Sequence, residues 1–218
     1  MSIRRVMFSV LVVIFSALAL VGCSGENKQG SARTFTDSRD KQKYRTVKIG
    51  NKTWMAQNLN FTISDSWCYD DDDSNCAKYG RLYTWDAAMK ACPSGWRLPT
   101  HKDWNDLVQI AGDSAAGKKL KSKTDWDGTD EFGFSALPGG RRGGFIGYFV
   151  GVGSRGDWWG ATEVSGIGRG NVCHRNMRFD IEYVGGDWIA NSIGYGLSVR
   201  CLKGDYLKNF VFGVIGVL

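Results

Sequence analysis

Residues 92–104 read CPSGWRLPTHKDW. A cysteine, two prolines, two tryptophans and a helix-start signal share this short stretch. Pro93 stops any helix that reaches it and Pro99 sets up the next, because proline lacks the backbone N–H and fixes φ. Thr100 offers an N-cap hydroxyl with the Asp103 carboxylate three residues on, a near capping box. Trp104, Leu107, Val108 and Ala111 then recur on one helical face until Gly112. Upstream, Leu82, Trp85, Met89 and Cys92 within GRLYTWDAAMKAC (80–92) predict a first amphipathic helix with its cysteine on the buried face. The quoted stretch is therefore a rigid corner between two helices, and Trp96 and Leu98 are its core anchors.

Strands are expected on either side of this helical centre. KYRTVKIGNKTWMAQNLNF (43–61) alternates Tyr44, Val47 and Ile49 with polar residues and predicts a β-hairpin turning at Gly50-Asn51. Residues 133–170 hold thirteen glycines, with aromatics at Phe134, Phe145, Tyr148, Phe149, Trp158 and Trp159. This composition predicts short strands joined by long loops. Neither GxxxxGK[ST] nor GxGxxG leading into a helix occurs there, which argues against a phosphate cradle. GYGLSVRCLK (194–203) reads as a closing strand in which Leu197, Val199 and Cys201 alternate with Ser198, Arg200 and Leu202. Residues 204–218 end in an apolar tail, NFVFGVIGVL, too short to span a bilayer.

The chain opens with MSIRR, an uninterrupted apolar run, and then Leu20, Val21, Gly22 and Cys23. That order predicts an export signal over 1–22, with a lipobox whose Cys23 is lipidated. Acyl chains on Cys23 are expected to hold the protein on a membrane, and residues 23–34 form a polar tether. Ser24 after the cysteine favours the outer membrane or cell surface. About 196 residues remain, enough for one domain, expected over 35–203. Arg4 and Arg5 carry two of the six formal positive charges and leave +4. A mild positive balance on an exported chain does not indicate a nucleic-acid partner.

Five cysteines remain after Cys23, and outside the cytoplasm pairing is the default. Cys68 and Cys76 lie close enough to close locally. A Cys92–Cys201 link closes a loop of more than a hundred residues, where chain-entropy stabilisation is largest. Cys173 is then left outside the pairing.

An early hairpin, two helices, a Gly- and Trp-rich region and a final strand stapled back to the helices outline an α+β, C-type-lectin-like domain. Five segments carry a closer likeness: DSRDKQKYRTVKIGNKTWMAQNLNF (37–61), NCAKYGRLYTWDAAMKACPSGWRLPTHKDWNDL (75–107), GFSALPGGRR (133–142), WWGATE (158–163) and GLSVRCLK (196–203). Together they resemble the conserved blocks of the Fibrobacter succinogenes major paralogous domain. The resemblance implies an exported protein, often a lipoprotein, and a fold with two helices, short antiparallel strands and long Gly/Trp-rich loops. It implies no activity. RLPT before a tryptophan-bearing helix and the late GLSVRC strand are also similar to formylglycine-generating enzymes. Those carry a reactive cysteine pair late in the domain, whereas only Cys201 lies there here.

Four constellations are candidate sites. Asp70, Asp71, Asp72 and Asp73 are the densest negative charge, and oxygen ligands suit calcium. An EF-hand loop needs glycine at its turn and glutamate at its twelfth position, where Arg81 stands, so a solvated acidic turn is the simpler expectation. Trp104-Asn105-Asp106 mimics a calcium-lectin signature but falls on the second helix. Cys173 and His174 are adjacent, so on a strand they point to opposite faces and do not form a thiolate–base pair. The fourth is Trp158 and Trp159 with Tyr148, Asp157 and Arg155, backed by Arg141, Arg142 and Glu163. Aromatic faces stack on sugar rings while charged groups orient hydroxyls, with one tryptophan expected inward and the other outward. The expectation is a non-catalytic surface module, without cofactor, that binds a glycan or another envelope component. A structural or assembly module of the envelope without a small ligand is the alternative, and a formylglycine-generating-like enzyme is the third.

Overall fold

The computed structural model describes residues 33–144, 146–164, 171–186, 188–189 and 194–204. The signal, Cys23, Phe145, most of the tether and the apolar tail lie outside the described residues.

Lys43–Ile49 (β2) and Lys52–Met55 (β3) pair antiparallel, Ile49 opposite Lys52, around a turn with Gly50 at φ 59°. Arg33–Thr36 (β1) adds to the outer edge of β2. On the other side the chain returns late, as Leu202–Lys203 (β13), and inserts between β3 and Trp96–Arg97 (β6). The sheet order is β1-β2-β3-β13-β6. The corner 92–104 thus supplies a strand as well as a bend, because Trp96 and Arg97 sit extended between their two flanking prolines.

A second sheet runs Trp188–Ile189 (β11), Asn171–Arg178 (β10), Arg155–Val164 (β9), Leu197–Ser198 (β12), Leu82–Tyr83 (β5) and Ser66–Trp67 (β4). The hairpin of Gly139–Arg142 (β7) and Phe149–Val152 (β8) joins it through Gly140 opposite Gly156. At Gly140, φ is 67° and an added Cβ would meet the Val150 carbonyl oxygen at 2.8 Å, so only glycine fits where the hairpin crosses.

Four helices are described, where two are expected from periodicity: Asp73–Tyr79 (α1), Trp85–Ala91 (α2), His101–Ala111 (α3) and Ala116–Leu120 (α4). The Asp72 side chain accepts from Ser74 N and starts α1, so the acidic segment is a helix start and not a plain turn. In α2 the expectation is too long at both ends. Leu82 and Tyr83 belong to a strand, Thr84 caps the helix, and Cys92 lies just past its end and only half-buried. Around α3 the expectation holds: Thr100 and Asp103 complete a capping box, and Gly112 ends the helix at φ 93°.

The aromatics divide into two buried clusters. One gathers Trp54, Trp104, Trp126, Phe134 and Trp158 with Val47 and Leu107. The other gathers Tyr44, Met55, Tyr83, Leu98 and Trp159 with Val172 and Val199. Alternation on β2 feeds both, since Val47 and Ile49 enter the first cluster and Tyr44 the second. The closing strand does not alternate. Residues 197–202 are all buried because this segment threads from one sheet into the other. Arg200 is accordingly buried with its neighbours.

Candidate ligand-binding cleft

The loop constellation expected around Trp158 and Trp159 is not a surface site. Both indoles are wholly buried on β9, one in each cluster. Both faces of β9 are covered, so alternation sends each side chain into a core and neither outward. Asp157 is also wholly buried, its carboxylate held by Arg155 through two 2.7 Å hydrogen bonds. Tyr148 is the one exposed aromatic of this set, in the β7–β8 connection, near the exposed Ile146 and Val150. Arg142 stacks over Trp67 at 4.1 Å, and Glu163 is exposed at the far end of β9.

The pairing read from cysteine spacing is present: Cys68 is bonded to Cys76 and Cys92 to Cys201. Cys173 is a buried thiol on β10. His174 lies on the opposite face, and burial lowers its pKa. The histidine that does approach Cys173 is His101 on α3, with Nδ1 3.4 Å from Sγ. Sequence separation hid this contact, which exists only because β9 and β10 pack on α3. The four aspartates do not converge. Asp72 is spent on its cap, and among the described residues no three His, Cys, Asp or Glu side chains are arranged to hold a metal. Nor is any helix among them long and apolar enough to cross a membrane.

A cleft of about 300 Å³ opens where β2–β3, the end of α1 and the segments 122–125 and 130–137 meet. Its base is Asn58, in the run that follows β3. Asn58 Nδ2 donates to Tyr79 O at 2.8 Å and to Ser198 Oγ at 3.3 Å. Its Oδ1 accepts from Trp158 Nε1 at 2.8 Å and from Arg200 Nε and Nη2 at 3.1 and 2.8 Å. Gly80, at φ 77°, lets α1 end against this residue, since a Cβ there would lie 2.8 Å from Asn58 Cβ.

Arg200 stiffens the base from below. It also donates to the Phe134 and Ser135 carbonyls and stacks over the Phe134 ring at 4.4 Å. Burial lowers its pKa to about 9, partly offset by the Asp130 charge. Among the described residues no carboxylate is in contact with the guanidinium, whose hydrogen bonds go to neutral acceptors.

The rim is polar and held in place. Asp130 accepts from Ser135 N and Oγ at 2.7 and 2.6 Å. Asp125 accepts from Thr124 Oγ1 at 2.7 Å, and hydrogen bonds from Thr124 first, with the Lys78 charge, lower its pKa. Gln57 Oε1 accepts from Arg45 N at 2.8 Å, which orients the amide. Carboxylates, amides, two tyrosines and cations of both Lys and Arg type line one concavity, so donors and acceptors are mixed and no single charge dominates. Such a surface suits hydroxyl-rich neutral ligands. None of these residues stood out in the sequence, because their polarity reads as ordinary solvated loop.

The family model described as the Fibrobacter succinogenes major domain matches residues 47–203. No curated protein and no solved structure matches the chain.

Proposed function

The chain belongs to the Fibrobacter succinogenes major domain family, and from that premise we propose that it is a non-catalytic binding module whose cleft over Asn58 takes a neutral, hydroxyl-rich glycan. The observation that carries this is the rim itself: Gln57, Asp125 and Asp130 are each fixed by a hydrogen bond within the protein before any ligand arrives. Pre-set acceptors reduce the ordering cost of binding. The Cys76 sulfur at the edge of the cleft is held in a disulfide and cannot act as a nucleophile. A binding role therefore fits this chemistry better than a cysteine-dependent, formylglycine-generating one.

The module sits, in this proposal, on the outer membrane or cell surface through Cys23, which the Leu20-Val21-Gly22-Cys23 order supports. Its fold is of the C-type-lectin-like kind. Support comes from the two central helices joined at the 92–104 corner and from the Cys92–Cys201 link that ties this corner to the closing segment.

The test is retention of the full-length protein, in detergent, on a panel of neutral insoluble and soluble polysaccharides. Retention that is lost in a Gln57→Ala/Asp125→Ala variant with an unchanged melting curve supports the proposal. Retention equal in both proteins, or on none of the panel, overturns it.

A further inference from the structure

The outer part of the five-stranded sheet carries a second concavity, of about 530 Å³. Strand register puts most of its strand residues on one face, Thr34 excepted, which pairs with Arg45. Antiparallel partners share a face, and Arg33 is opposite Thr46, Lys48 opposite Thr53, and Lys203 opposite Trp96. Val47, Trp54 and Leu202 occupy the other face, in the first core cluster. Three cations thus stand on three strands of one face, and all three are exposed. Among the described residues, no carboxylate lines the concavity. The cations differ in this from the arginines around β9, where Arg155 is matched by Asp157.

The floor is aromatic. Phe35, partly exposed, meets the Trp96 ring at 5.0 Å and 53°. The Thr46 hydroxyl is spent on the Arg33 carbonyl at 3.1 Å, while Thr34, Thr53 and Ser94 also line the concavity.

We propose that this sheet face binds an acidic oligosaccharide, a chain of sugar rings each carrying a carboxylate. The sheet curls until Phe35 on β1 meets Trp96 on β6, so the cations on β1, β2 and β13 stand around one concavity. Three separate cations around an aromatic floor suit carboxylates repeated along a pyranose chain better than one compact anion. The ring's C–H face lies on the Phe35–Trp96 floor, its hydroxyls reach the threonine and serine hydroxyls, and its carboxylates meet Arg33, Lys48 and Lys203. A membrane headgroup layer is a flat sheet of phosphates, and it uses neither the concavity nor the aromatic floor. This site is separate from the Asn58 cleft, and neither depends on the other.

The experiment is calorimetric titration of the full-length protein with oligogalacturonate, with the fully methyl-esterified oligomer, and with vesicles of neutral lipid containing anionic phosphatidylglycerol. The expected result is binding of the acid, at least tenfold weaker in Arg33→Gln/Lys48→Gln/Lys203→Gln and weakened by added salt, since exposed charge pairs are screened. The methyl ester is expected to bind at least tenfold more weakly than the acid. All three substituted residues are exposed, so thermal melts of the variant should match the wild type, and Lys48→Arg should retain binding. Equal affinity for acid and ester, an unaffected triple variant, or no binding of the acid overturns the proposal. So does charge-dependent binding of the vesicles with none of the oligomer, which assigns the face to the membrane instead.

Discussion

Trp158 and Trp159 are adjacent on β9, yet each closes a different core. Trp158 lies 6.3 Å from the Trp104 ring and 6.4 Å from Trp126, and its Nε1 donates to Asn58 at the base of the cleft. Trp159 lies among Tyr83, Leu98 and Val199 and donates to Tyr83 O at 2.7 Å. One dipeptide thereby ties both clusters to the same strand. Replacing either indole leaves a large cavity and an acceptor without its donor.

Trp158→Ala and Trp159→Ala are therefore each expected to destabilise by about 3–5 kcal/mol. Urea unfolding followed by far-UV circular dichroism measures this. A change within about 0.5 kcal/mol for either variant, the behaviour of an exposed site, contradicts the two-core assignment.

The two disulfides are expected to contribute unequally. Chain-entropy reasoning gives about 4–5 kcal/mol for the 109-residue separation of Cys92 and Cys201, and about 2–3 for the separation of 8 between Cys68 and Cys76. Cys92→Ala/Cys201→Ala should thus lower the urea midpoint more than Cys68→Ala/Cys76→Ala. In the native protein Cys173 should resist alkylation, and it should react once urea exposes it. Rapid native-state labelling of Cys173 contradicts its burial.

Asp103 joins the sheet to α3. Its Oδ2 accepts from Arg97 Nη1 at 2.6 Å and from Thr100 N at 2.8 Å, and its Oδ1 from Lys52 Nζ at 2.6 Å. Burial opposes the carboxylate charge, but the hydrogen bonds from Arg97, Lys52 and Thr100 outweigh it and hold the pKa far below the usual range. With the folded pKa below the unfolded value of about 4, the stabilisation is present above that value and is lost as pH falls through it toward the folded pKa. Unfolding free energy should decline from about pH 5 downward. Asp103→Asn should be less stable at pH 7 by about 3–5 kcal/mol, since it leaves Arg97 buried without its carboxylate. Its acid dependence should also be shallower. A slope matching the wild type between pH 5 and 2 shows that Asp103 does not govern the acid limb.

Much of this fold is local and was legible in the sequence. The Gly50-Asn51 turn, the Thr100–Asp103 capping box, the Gly112 stop and the Cys68–Cys76 link depend on residues near in sequence, and the Cys92–Cys201 link is read from the long loop it closes. The errors arise where tertiary cover changes what a pattern means. Leu82 matches a helical period with Trp85, Met89 and Cys92, but it and Tyr83 pair as a strand with Ser198 and Leu197, far along the chain. Alternation at Trp158-Trp159 predicts one exposed face only if one side of the strand is bare, and on β9 neither is. The two concavities were illegible for the same reason. Arg33, Lys48 and Lys203 come together through sheet order alone, and Asn58 meets Arg200 across 142 positions.

That last pair supports a prediction with an asymmetry. Arg200 is wholly buried, and its contacts are the Asn58 amide, the Phe134 and Ser135 carbonyls and an aromatic face. Burial lowers its pKa to about 9, so the unfolded chain holds the proton more tightly and the charge opposes folding at neutral pH. Removing the acceptor while the cation stays should be the harsher change. Asn58→Ala strips Oδ1 from Arg200 and Trp158 and leaves a buried charge short of partners, a loss of about 3–5 kcal/mol. Arg200→Met removes the charge itself and keeps much of the volume, so its cost is expected to be smaller, with the orphaned Phe134 carbonyl accounting for about 1–3 kcal/mol. Urea titrations of both variants at pH 7 decide the order. An Arg200→Met protein less stable than Asn58→Ala means that the guanidinium is a net stabilising element and not a charge tolerated for the sake of the cleft base.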